Sequence, residues 1–211
     1  MGATLLEGKV IEQHRTLVCP EPTATVSQGE KAVHDADEML HEIEYGRRVE
    51  VPAMGILAIR LASQIGALLR NYGEMNRLGW HVVEGLFVLD AERDLRRRPD
   101  VAFVSAQRWP LDKPLPAQGD APVVPDLVVE VISPNDTAEK LLTKLLEYFR
   151  HGVRLVWVVY PLQKLVYVYT GPTAVRILTE QDELDGGDVL PGFRLQLAEL
   201  FAAVPVERPA E

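Results

Sequence analysis

The stretch Asp126-Leu127-Val128-Val129-Glu130-Val131-Ile132 constrains the fold more than any other part of the chain. Side chains alternate across a strand, so a run that is apolar on both sides belongs inside a sheet with a covering layer on each face. One ionisable group interrupts it: Glu130 shares a face with Val128 and Ile132. A carboxylate in apolar surroundings costs free energy unless a partner or a cation offsets it. Glu130 therefore reads as half of a structural ion pair or as a metal ligand.

The covering layers can be read on either side of this strand. Met54, Leu57, Ala58, Leu61, Ala62, Ile65, Leu68 and Leu69 repeat at helical spacing, which predicts a helix over 53–72. Pro52 precedes it, and Gly73 with the polar NRLG segment ends it. WHVVEGLFVL and PDVAFVS read as strands separated by a charged loop, AERDLRRR. A long Pro- and Gly-rich loop, of the kind that often carries function, leads to the Glu130 strand. A helix from Asp136 to His151 follows, with Asp136 and Glu139 at capping-box spacing and Gly152 closing it. RLVWVVY, LVYVYT and AVRILTE are further strands, then a turn at Asp185-Gly186-Gly187 and a short amphipathic end. This order predicts a mixed α/β fold with helices packed against a central sheet. Residues 37–51 predict a short helix and then a hairpin turning near Tyr45-Gly46. Residues 1–36 read as an extension with little regular structure, 37–202 as the domain and 203–211 as a tail.

Composition narrows the function classes. A single cysteine, Cys19, excludes a disulfide framework and a cysteine-rich zinc site, and the five histidines lack metal-ligand spacing. No apolar run reaches the ~18 residues that span a bilayer. The N-terminus lacks the apolar region of a signal peptide, so a cytoplasmic protein is expected. The net charge of −9 counts against broad, non-specific nucleic-acid binding. It leaves room for a local basic patch, and Arg93, Arg96, Arg97 and Arg98 run directly into Asp100. That run is either a solvated loop or a set of phosphate contacts.

Asp100 opens a buried-looking strand, where it either accepts backbone N–H bonds or meets a cation. Lys144 stands at the edge of the apolar stripe of the following helix, one turn before Tyr148. Alone it reads as a snorkelling surface lysine. Together, Asp100, Glu130 and Lys144 give the order strand carboxylate, strand carboxylate, helix ammonium. Phosphodiester hydrolysis needs hard oxygen ligands for Mg²⁺ (or Mn²⁺), a held water and a cation near the scissile phosphate. These three side chains can meet those needs. No GxSxG elbow surrounds Ser133, and Gly186-Gly187 lacks a phosphate-loop pattern.

In RRPDVAFVSAQRWP, VVPDLVVEVISPND, the Lys144–Tyr148 helix with HGVRLVWVVYP, and LDGGDVLPGFRLQLAELF, the sequence resembles the restriction endonuclease-like (Uma-type) branch of the PD-(D/E)xK superfamily. The resemblance covers roughly residues 37–202. It implies a restriction-endonuclease-like core and Mg²⁺-dependent cleavage of DNA. The family's metal-binding aspartate falls on Asp100, its glutamate on Glu130 and its helical lysine on Lys144. Ile132 stands where an E-x-K motif places lysine. An early Tyr-Glu pair falls on His41-Glu42, making Glu42 a candidate outer ligand or water-positioning group. Lys140 stands where many relatives carry an acidic residue. The expected site is then Asp100, Glu130 and the Val131 carbonyl on the metal, Lys144 beside the water, and Arg96, Arg97 and Arg98 on flanking phosphates. A homodimer is plausible for cutting both strands. Two other readings compete: a catalytically silent nuclease-fold interaction module, and a small-nucleotide phosphoesterase.

Overall fold

The structure, a computed structural model, describes residues 40–203. The expected N-terminal extension, the first part of the expected short helix and the tail beyond 203 lie outside these residues. The described chain begins with the expected hairpin, β1 (His41–Glu44) and β2 (Arg47–Glu50). Tyr45 and Gly46 form its two-residue turn, both with positive φ, the geometry that matches the twist of the flanking strands.

Helix α1 spans Ile56–Met75, later than the apolar period suggests. Gly73 lies inside it rather than ending it. A Cβ there would meet the Phe103 ring at 2.9 Å, so the missing side chain lets helix and sheet approach. The expected single strand WHVVEGLFVL is two, β3 (Gly79–Val83) and β4 (Phe87–Asp90), in different sheets. Glu84, at φ 50°, turns the chain between them. The expected charged loop contains a further strand, β5 (Leu95–Arg97), which pairs with both β1 and β4. Then come β6 (Val101–Ser105), β7 (Leu127–Val131), α2 (Ala138–Arg150), β8 (Leu155–Tyr160), β9 (Leu165–Gly171) and β10 (Ala174–Leu178). A two-stranded β11 (Glu183–Asp185) and β12 (Arg194–Gln196) and the short α3 (Leu197–Ala202) complete the described chain.

The central sheet has six strands in the order β10-β9-β8-β7-β6-β3. Only β7 and β8 run parallel, joined by a crossover through α2. A second sheet, β2-β1-β5-β4, has four strands. Alternation divides the central strands between two cores. Val101, Phe103, Leu127, Val129, Leu155 and Trp157 pack against α1 and α3. Ala102, Val104, Val128, Val156 and Val158 face the other way, toward Leu145 and Tyr148 of α2 and Phe87 and Leu95 of the four-stranded sheet. The apolar-on-both-sides strand is thus covered twice, as its sequence requires.

Helix α2 starts differently from the expected capping box. Thr137 is the N-cap, its hydroxyl accepting from Lys140 N, while Asp136 accepts from Ser133 N at 2.7 Å and shapes the entry turn. Gly152, at φ +93°, follows the C-cap residue His151.

Candidate active site

Antiparallel pairing of β6 with β7 sets Val101 against Val129. One step further, the same register brings Asp100 opposite Glu130, both on the face that α2 covers. Asp100 Oδ2 accepts from Val131 N at 2.6 Å, so the backbone-bonding role open to it in the sequence is filled by one of its two oxygens. Glu130 is buried. Its Oε1 accepts from the Tyr148 hydroxyl at 2.6 Å, and Lys144 Nζ lies 3.4 Å from its Oε2. Ile132 is partly buried on the same face and packs against the α2-side core. The ammonium that a lysine at 132 would carry arrives instead from α2 above the sheet.

Glu42, on β1, completes the group. Its Oε1 lies 3.1 Å from Lys144 Nζ and accepts from Arg98 N at 2.9 Å. Lys144 is therefore not a snorkelling surface residue: its side chain is 20% exposed and its ammonium sits between Glu42 and Glu130. Asp100, Glu130, Glu42 and Lys144 line one cleft of about 520 Å³. Its walls also include Arg98, the β1–β2 hairpin and the Ser133–Thr137 turn.

The three arginines part company. Arg97 is buried and bound to carboxylates. Its Nε donates to Glu147 Oε2 at 2.7 Å, and its Nη1 donates to Glu42 Oε2 and to Glu44 Oε1, each at 2.8 Å. Its donors are spent on carboxylates, although the residue borders the cleft. Arg96 points elsewhere, paired with Asp94 at 2.7 Å and with Asp120. Arg98 lines the cleft and bonds backbone carbonyls, with Nε donating to His41 O at 3.1 Å and Nη1 donating to Glu84 O. Sequence reasoning missed the roles of Arg97, Glu147 and Tyr148. The available signal was alternation, since Leu95 and Arg97 are two apart on one strand and share an inward face.

The electrostatics of the cluster are unbalanced. Asp100, Glu130, Glu42 and Glu147 are set against the paired cations Lys144 and Arg97. Burial, and after it the charge of Glu130, pushes Asp100 up to about 8. Burial likewise raises Glu130. Burial alone would lower Lys144, but Glu130 and Glu42 outweigh it and hold the ammonium above its ordinary range. The described residues contain no group of three or more His, Cys, Asp or Glu side chains arranged around one point. Two facing carboxylates still suit a Mg²⁺-like ion, which keeps several waters and takes one or two carboxylates from the protein. A divalent cation between Asp100 and Glu130 would favour their ionised forms, the forms that burial and their mutual repulsion disfavour. Among the described residues no helix is long and apolar enough to cross a membrane.

The fold has a solved counterpart. A structure described as a putative nuclease belonging to DUF820, from Anabaena variabilis, superposes with a TM-score of 0.69 at 17% identity, covering 78% of this chain and 91% of that one. No curated protein matches the sequence. The sequence model of the Uma2 family, described as "Putative restriction endonuclease", matches residues 30–198. The fold and the sequence agree, and the chain belongs to the Uma2 family.

Proposed function

We propose that the protein is a Mg²⁺- or Mn²⁺-dependent DNA endonuclease that hydrolyses phosphodiester bonds at the cleft around Asp100. The single observation that carries this reading is the meeting of Asp100, Glu130, Glu42 and Lys144, from three strand regions and one helix, in one cleft. Family membership supports the nuclease class.

Asp100, Glu130 and the Val131 carbonyl would hold the divalent ion, which when bound would supply Lewis-acid stabilisation of the phosphoryl oxygens and lower the pKa of water. Lys144, fixed by Glu42 and Glu130, orients the attacking water and stabilises the charge that builds on the phosphoryl oxygens. The water oxygen forms a bond to phosphorus and loses a proton to solvent, while the bond to the leaving sugar oxygen breaks and that oxygen takes a proton from solvent. Glu42 sets the position of the ammonium. Arg98 is the arginine suited to a flanking phosphate, because no carboxylate pairs with it among the described residues.

A plasmid nicking assay in Mg²⁺ or Mn²⁺ tests the reading. The wild type is expected to nick or linearise supercoiled plasmid, with Asp100→Ala, Glu130→Ala and EDTA each abolishing it. Equal cleavage by all three proteins, or none by the wild type in either metal, overturns it.

A further inference from the structure

We propose that Arg97 is a positioning residue, which holds Glu42 so that Glu42 can pin the Lys144 ammonium over the site. The inference rests on the proposed nuclease reading and deepens it.

The geometry is a relay of carboxylates and cations. Arg97 is 2% exposed, and its guanidinium binds Glu147, Glu42 and Glu44. Glu42 gives Oε2 to Arg97, and its Oε1 meets both Arg98 N and Lys144 Nζ. Glu130 gives Oε1 to Tyr148, and its Oε2 lies 3.4 Å from Lys144, farther than Glu42 does at 3.1 Å. Lysine carries its charge on a flexible four-carbon stem, so its place is set by its partners. Glu42 is the closer of the two, and it is the partner left to the ammonium when Glu130 engages a metal ion. What fixes Glu42 therefore fixes Lys144. Arg97 reaches Glu42 and Glu147 at once through a planar fork of donors, and no other side chain in the cluster does so. Without it, Glu42 Oε2 and Glu147 Oε2 lose the cation they share in a buried place, Glu42 keeps only its Oε1 partners Lys144 and Arg98 N, and its carboxylate is free to turn.

Arg97 makes no hydrogen bond or ion pair with Asp100, Glu130 or Lys144 among the described residues, and of the three carboxylates it binds only Glu42 meets the Lys144 ammonium. A double-mutant cycle isolates that route. Single-turnover cleavage of a short duplex in Mg²⁺ is measured for the wild type, Arg97→Gln, Glu42→Gln and the double variant, below the melting temperature of each. Arg97→Gln is expected to slow cleavage 10- to 100-fold while substrate affinity changes less than threefold. In the Glu42→Gln background the same change is expected to cost less than threefold more. Additive losses, or a loss confined to substrate affinity, overturn the proposal. Arg97→Lys keeps the charge and loses the fork, so it serves where Arg97→Gln does not fold, with an expected intermediate loss.

A second readout needs neither metal nor activity. In a metal-free crystal structure of Arg97→Gln or Arg97→Lys, Lys144 Nζ is expected to move by more than about 1.5 Å, losing its hydrogen-bond geometry to Glu42. If Nζ stays within hydrogen-bond reach of both Glu42 and Glu130, the proposal fails. A wild type that does not cleave overturns the nuclease reading, while this crystallographic result still decides whether Arg97 places the ammonium.

Discussion

The Tyr148 hydroxyl donates a 2.6 Å hydrogen bond to Glu130 Oε1, and both residues are buried. The bond ties the buried carboxylate of β7 to the helix that carries Lys144, so helix and strand share one fixed geometry. Tyr148→Phe leaves the ring in the core and strips one oxygen of a buried carboxylate of its donor. An unsatisfied buried acceptor costs about 1–3 kcal/mol, more when charged. Chemical denaturation is expected to show a loss of that order with an unchanged slope, and cleavage is expected to fall. Wild-type stability in this variant would mean that water or Lys144 takes over the bond.

Asp100 gives a pH-dependent prediction. Its carboxyl is raised to about 8 by burial and by Glu130, above the ordinary 3.8 it has in an unfolded chain. The folded state therefore holds the proton more tightly. Stability falls as pH rises between these two values, and the full cost is present above the higher one. In EDTA, Asp100→Asn is expected to melt several degrees above the wild type at pH 9 and by a smaller margin at pH 5. Added Mg²⁺ is expected to raise the wild-type Tm in a concentration-dependent way and leave the variant unmoved. A margin that shrinks toward alkaline pH contradicts this assignment.

Arg98 and Arg96 are separable by salt. The Arg98 guanidinium lines the cleft with only carbonyl partners among the described residues, whereas that of Arg96 is neutralised by Asp94 and Asp120. Arg98→Ala is expected to weaken duplex binding at all sequences and to lower the log–log salt slope by about one. Arg96→Ala is expected to leave the slope unchanged. Fluorescence anisotropy over a salt series measures both, and equal effects would return both arginines to the solvated-loop reading.

Glu130 was legible in the sequence because a charge inside a strand apolar on both sides is costly. Asp100 and Lys144 stood out only in combination with it and through the family resemblance, since alone a strand-opening aspartate and a lysine on the rim of a helix stripe have ordinary structural readings. The strand β5 was not legible. It is three residues long and two of them are arginines, so it reads as solvent until its pairing with β1 and β4 is known. The buried state of Arg97 depends on Glu42 and Glu147, which lie far away along the chain. WHVVEGLFVL reads as one strand because the apolar pattern continues across Glu84, whose left-handed backbone divides it between two sheets. The start of α2 moved for a local reason: Thr137 and Asp136 compete as caps, and Asp136 is spent on the Ser133 turn.

A crystal of the protein soaked in Mn²⁺ and measured for anomalous scattering addresses the metal site directly. The account predicts one strong peak between Asp100 and Glu130, with carboxylate oxygens at roughly 2.0–2.3 Å, and its loss in Asp100→Ala. An absent peak at saturating Mn²⁺, or a peak held by other residues, contradicts it.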